Sequence, residues 1–158
     1  MAYYPTKSIL SIMAVLLTLT LVADKPSLAK SGVQWYAYDE GIARGRSDGK
    51  KILINFFAEW CRYCKVMEAE TYQDASVVAY LNKHFIPIKV NSDTEKQLAN
   101  QYNVRGLPST WFISETGERI ANRPGLIPAP EMIRLLKYIG SDSYRRMSYQ
   151  AFIETQGE

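Results

Sequence analysis

The sequence predicts an α/β domain in which a central mixed sheet carries helices on both faces. Three observations point there. Lys51–Phe57 (KILINFF) is a continuous apolar run with one polar residue inside, Asn55, which is the pattern of a strand buried on both faces. Helical spacing follows it and gives way to a second such run over residues 85–90, so strand and helix alternate. A turn-forming stretch, Glu115-Thr116-Gly117-Glu118, then separates two short strand-like segments ahead of a last helical pattern. This β-α-β then β-β-α order places helices on both sides of one sheet.

The elements follow in order. Residues 39–49 read as a short helix, with Asp39 as N-cap and Gly49 as terminator; Trp35 and Tyr36 just before it read as an edge strand or a lid. After the first strand, helical spacing runs over residues 61–72 and again over 76–83, and the second strand follows. Thr94 is expected to cap a helix ending near Tyr102. Residues 110–114 and 119–121 read as a hairpin, and a helix over 129–139 closes a domain spanning residues 30–140. The remaining segment, 141–158, carries Tyr144, Met147, Tyr149 and Phe152 and is expected to pack on the domain as a short helix.

Composition narrows the function. A chain of 158 residues with 47% hydrophobic and 22% charged content, nine glycines and seven prolines, fits one ordinary globular domain and excludes disorder, collagen and repeat arrays. A formal charge of +3 with no basic run longer than two leaves no electrostatic footprint for nucleic acid. Two cysteines are too few for a disulfide-stapled scaffold, and with one histidine they cannot supply a four-ligand zinc site, so no metal is expected.

Residues 1–29 have the anatomy of a secretory signal peptide. Lys7 precedes an apolar run from Ile9 to Ala23 that Asp24, Lys25 and Pro26 end. Fifteen residues make about 22 Å of helix, short of the roughly 30 Å hydrocarbon core. Ser27 and Ala29 satisfy the small-x-small rule for cleavage before Lys30, which predicts an exported, periplasmic protein.

Cys61 and Cys64 follow a buried strand directly and sit at the first turn of a helix. Residues three apart on one turn can bring their sulfurs within disulfide reach. The N-terminal cysteine also meets the free N–H groups and positive end of the helix dipole, which stabilise a thiolate. Cys61 is therefore the expected nucleophile and exposed thiol, and Cys64 the resolving thiol. A purely structural bridge closing so short a loop would stabilise little. Arg62 adds a positive charge within the loop; His84, at a helix end, is assigned no catalytic role.

Residues 56–65 (FFAEWCRYCK) and 102–110 (YNVRGLPST) resemble the two signatures of the thioredoxin family, in the right order and about 40 residues apart. Residues 69–74 and 77–85 resemble the exported reductases that include the C-terminal domain of DsbD. The resemblance implies a thioredoxin fold over roughly 34–140, a cis Leu107–Pro108 bond beside the dithiol, and partner contacts at Trp60, Leu107 and Pro108. It implies reduction of protein disulfides through a mixed disulfide. The dithiol itself carries two electrons, so no bound cofactor is expected; a reductant in an oxidising compartment must be recharged, which implies a membrane-embedded electron donor, and a monomer is expected. Dithiol oxidase or isomerase activity, and a non-catalytic peptide-binding module, are the alternatives.

One departure matters. Thioredoxins place a buried aspartate six residues before the nucleophile, where this chain has Asn55, which cannot act as a base. Lys89 then lacks its usual acidic partner and must reach solvent or another acceptor. Glu68, one turn after Cys64 on the same helical face, is the candidate for proton transfer.

Overall fold

The computed structural model describes Met1 and residues 32–156; the expected leader and its cleavage point lie outside the described residues. Helix α1 (Tyr38–Asp48) lies close on the sheet because Gly41 and Gly45 share one helical face: a Cβ on either would overlap Ile88 or Ile52. Gly49 ends the helix in the left-handed conformation, at φ 61°. Its start differs from expectation. Ala37 occupies the N-cap position with no side-chain cap, and Asp39 lies inside the first turn, where its carboxylate still complements the dipole.

Strand β1 (Lys51–Phe57) leads to α2 (Arg62–Ala69), a 3₁₀ turn at Thr71–Gln73, α3 (Ala75–His84) and strand β2 (Phe85–Asn91). The helical pattern expected over 61–72 thus breaks after Ala69. The turn buries both Thr71 and Tyr72, and the Thr71 hydroxyl donates to the Ile127 carbonyl at 2.7 Å. Asp74 caps α3, accepting from the Ser76 and Val77 amides. Helix α4 (Lys96–Gln101) starts later than Thr94 predicts: that hydroxyl instead donates to the Asn91 carbonyl at the end of β2, leaving Glu95 as the N-cap. Strands β3 (Ser109–Ile113) and β4 (Arg119–Pro124) form the hairpin, and α5 (Ala129–Gly140) follows.

Among the described residues the sheet order is β2-β1-β3-β4, with β1 and β2 parallel and the other pairs antiparallel. This is the expected mixed sheet. The edge strand expected at Trp35 and Tyr36 reduces to one parallel bridge, Tyr36 to Ile88. Strand alternation divides the core in two. Ile52, Ile54 and Phe56 pack with Ile88, Ala99 and Tyr102 on the side of α1 and α4. Leu53 packs with Met67, Leu81, Phe85 and Leu136 on the side of α2, α3 and α5. Asn55 shares the parity of Leu53 and so stands on the α2 side.

Beyond α5, a 3₁₀ turn (Ser143–Arg145) and α6 (Tyr149–Gln156) return onto the domain. Phe152 is buried, and the Tyr138 ring lies 5.3 Å from both Tyr149 and Phe152. The nearly buried Lys51 ammonium, at the start of β1, donates to Asp142 at 3.1 Å and ties the segment to the sheet.

Candidate active site

Strand β1 ends at Phe57, and three further residues carry the chain to Cys61, the N-cap of α2. Cys61 is extended at φ −73° and ψ 107°, and its Sγ accepts the Cys64 amide at 3.2 Å. The sulfur therefore occupies the place of a capping oxygen and meets one of the amides that a helix start leaves unpaired. Cys61 and Cys64 are joined as a disulfide with their Cα atoms 5.3 Å apart.

The two cysteines are buried alike, at 4% and 7% exposure. In this oxidised state Leu107 packs on Ala58, Cys61 and Cys64; the expectation that Cys61 is the accessible thiol concerns the reduced protein. What separates them is electrostatic, since Cys61 alone caps the helix. Arg62 is exposed and makes no ion pair among the described residues.

The Leu107–Pro108 bond is cis. Pro108 is buried, its carbonyl accepts the Gly125 amide at 2.8 Å, and Ser109 then starts β3 opposite Phe56. Trp60 is 71% exposed, and its indole N–H donates to the Asp93 carboxylate at 2.9 Å. Asp93 is a site residue that sequence reasoning missed, because it follows β2, 33 residues from its partner. An open groove of about 330 Å³ lies between Trp60 and Leu107, with Ser92, Lys96 and Arg105 along it.

A separate, smaller cavity of about 80 Å³ lies on the α2 side of the sheet, bordered by Asn55, Phe57, Cys64, Glu68 and Lys89. Asn55 pairs in register with Lys89 on the parallel neighbour, so both side chains project toward α2. Lys89 finds its acceptor there: its ammonium lies 2.6 Å from Glu68 Oε2. The Asn55 side-chain oxygen is buried without a hydrogen-bond partner, and the cavity beside it has room for water. Burial pushes the nearby Tyr72 phenol up, so that it stays neutral. His84 is exposed and stacks on Tyr80, with ring centroids 4.4 Å apart. Among the described residues, no cluster of three or more potential ligands could hold a metal ion.

This geometry coincides with what comparison with known proteins finds. A family model described as a thioredoxin-like domain matches residues 38–140. A thioredoxin of Mycoplasmoides gallisepticum is 31% identical over 91 residues, 58% of this chain and 86% of that protein. The thiol:disulfide interchange protein DsbD of Photorhabdus laumondii is 34% identical over 74 residues, 45% of this chain but only 13% of its own length. Among solved structures, a Thermus thermophilus thioredoxin aligns with a TM-score of 0.62 at 28% identity, covering 68% of this chain and 86% of that one. The oxidoreductase DsbH shares the fold with a TM-score of 0.58 at 20% identity, covering 86% of this chain and 99% of the other.

Proposed function

This chain belongs to the thioredoxin-like domain family, and from that premise we propose that it is an exported, monomeric reductase of protein disulfides. The observation that carries the reading is the seat of Cys61: its sulfur caps α2 and accepts the Cys64 amide, under Leu107, which a cis bond joins to the buried Pro108. A thiolate at that position is stabilised by the helix terminus, while Cys64, one turn on, is not.

In the proposed cycle the Cys61 thiolate attacks one sulfur of a partner disulfide. That bond breaks and a mixed disulfide forms. Cys64 loses its proton and attacks Cys61 Sγ, releasing the partner as a dithiol and leaving the Cys61–Cys64 bond described above. Two electrons pass to the partner, and no cofactor takes part. The partner's extended segment is held between Trp60 and Leu107, where the groove lies open. Glu68, four residues beyond Cys64 and bordering the same cavity, accepts the Cys64 proton directly or through one water.

Export is supported by the composition of residues 1–29, and reduction by the likeness to DsbD, a thiol:disulfide interchange protein. In an oxidising compartment the disulfide left by each turnover must be reduced again, so the proposal includes a membrane-embedded electron donor.

The reduction potential of the Cys61–Cys64 couple tests the direction. A value near that of thioredoxin, about −270 mV, supports a reductase; one near that of DsbA, about −120 mV, refutes it and indicates an oxidase. An intermediate value near −180 mV, as in protein disulfide isomerase, refutes it in favour of an isomerase. N-terminal sequencing of the protein recovered from the periplasm tests the leader: the expected first residue is Lys30, and a chain retaining Met1 in the membrane fraction overturns it.

A further inference from the structure

The segment ahead of α1 lies outside the region that matches the family model, which begins at residue 38. Among its described residues it forms only one bridge with the sheet, yet it is fixed at both ends. The Asn82 side chain accepts the Gln34 amide at 2.9 Å and donates to the Gly32 carbonyl at 3.0 Å. Tyr36 donates its amide to the Pro87 carbonyl at 2.9 Å and accepts the Lys89 amide at 3.2 Å. Between these anchors the Trp35 indole meets Tyr72 edge-on, with centroids 4.8 Å apart at 88°.

The same indole reaches Lys89. The ammonium lies 5.6 Å from the Trp35 ring centroid and 4.8 Å from that of Phe57, with Glu68 Oε2 at 2.6 Å. Two aromatic rings and one carboxylate therefore surround a group that would otherwise swing on a flexible four-carbon stem. Lys89 is also held at its backbone by Tyr36. One short stretch of chain thus controls both ends of the lysine.

We infer that Trp35 is a positioning residue for proton transfer: by confining Lys89 it holds the Glu68 carboxylate at the cavity beside Cys64. The inference rests on the reading of Glu68 as proton acceptor. The charged and polar groups that line the cavity with this carboxylate are Lys89 from β2, Lys65 of its own helix, Glu59 from the loop before α2 and the neutral Asn55 from β1, and Tyr72 of the 3₁₀ turn lies near enough to feel its charge. Tyr72 does not compete for the proton, because burial keeps its phenol neutral. Without the indole, Lys89 can turn toward solvent and take Glu68 with it.

The test uses the full mature chain and stopped-flow reduction of a model disulfide, with attack and resolution followed separately as functions of pH. Trp35→Ala removes the ring. Trp35→Leu keeps apolar volume against Tyr72 but no π face, which preserves the test if the alanine variant folds poorly. Both are expected to slow resolution about 2- to 5-fold, the change that a partly exposed cation–π contact corresponds to. Attack by Cys61 should be unchanged, Trp35→Phe should restore resolution, and neither loss should add to that of Glu68→Gln. Resolution at the native rate in Trp35→Leu, equal slowing of both steps, or full additivity with Glu68→Gln would overturn the role of Trp35. If Glu68→Gln by itself leaves resolution unchanged, it is the reading of Glu68 that falls, and this inference falls with it.

Discussion

Glu68→Gln separates a proton acceptor from a surface ion pair. The carboxylate lies 2.6 Å from Lys89, with side-chain exposures of 43% and 26%. A pair this exposed contributes about 0.2–1 kcal/mol to stability, and the glutamine oxygen still accepts from the ammonium. The substitution should therefore lower stability by less than about 1 kcal/mol. Its kinetic effect should be larger. Loss of a positioned general base at the low end of its usual contribution slows a step by about 10- to 100-fold, or roughly 1.4–2.7 kcal/mol of barrier. The excess over the stability loss is what the proton role predicts.

The assay is stopped-flow mixing of the reduced protein with a small disulfide, using the fluorescence of Trp60, next to Cys61, to resolve attack from resolution. Attack should keep its native rate while resolution slows. Asn55→Asp should partly rescue the variant, because position 55 pairs in register with Lys89 and borders the same cavity. Native resolution in Glu68→Gln, with the small stability loss still present, refutes the reasoning and returns Glu68 to an ordinary ion pair.

Three further outcomes are expected. Cys64→Ser should trap mixed disulfides with envelope proteins through Cys61 and Cys61→Ser should trap none, as read on non-reducing gels; the reverse pattern would invert the assignment. Phe152→Ala removes a buried ring from the contact between α6 and α5 and should cost about 3 kcal/mol in urea unfolding with no change in disulfide reduction, whereas a cost within error would mean that the C-terminal segment is not part of the cooperative fold. Asp142 titrates below its ordinary range: burial opposes its charge, but the hydrogen bond from Lys51 and the charges of Lys51 and Arg145 outweigh that. A depressed native pKa adds stability above the unfolded value of about 3.9 that is lost as pH falls through the native one, so Asp142→Asn should flatten the acid limb of a Tm–pH profile, and an unchanged limb would refute the linkage.

Much of the site is legible in sequence because its parts are local. Residues 56–64 are contiguous, and strand, short loop and helix start follow from one apolar run and one capping position. Leu107–Pro108 is likewise a short signature followed at once by a strand. Contacts that depend on register were not legible. That Lys89 lacks a partner at position 55 follows from residue identities. That it finds one in Glu68 needs β1 and β2 paired in parallel and α2 laid over the face that both side chains share. The hold of Asp93 on Trp60 depends in the same way on where β2 ends. By contrast, the pair Gly41 and Gly45 carried a readable signal: small residues four apart on one helical face mark a close approach, here to Ile88 and Ile52.

The pleat of β1 has a consequence for how the two half-reactions are separated. The docking groove is bordered by Trp60, Ser92, Lys96 and Leu107, and the proton cavity by Asn55, Cys64, Glu68 and Lys89; the two have no lining residue in common, and they approach each other where Leu107 packs on Ala58 and Cys64. A partner lying in the groove therefore leaves the cavity clear, so Cys64 can lose its proton while the mixed disulfide is still held. Changes on the two sides should act on different steps and combine independently. Trp60→Ala removes an exposed ring and its bond to Asp93 and should weaken docking and first attack, whereas Glu68→Gln acts on resolution. In the double variant, with the two steps read by rapid quench and thiol alkylation because the Trp60 fluorescence is gone, the two free-energy changes should add to within about 0.5 kcal/mol, as expected for independent sites. A larger coupling in the double-mutant cycle would show that docking reaches the proton cavity, and the separation drawn from the strand's two faces would fail.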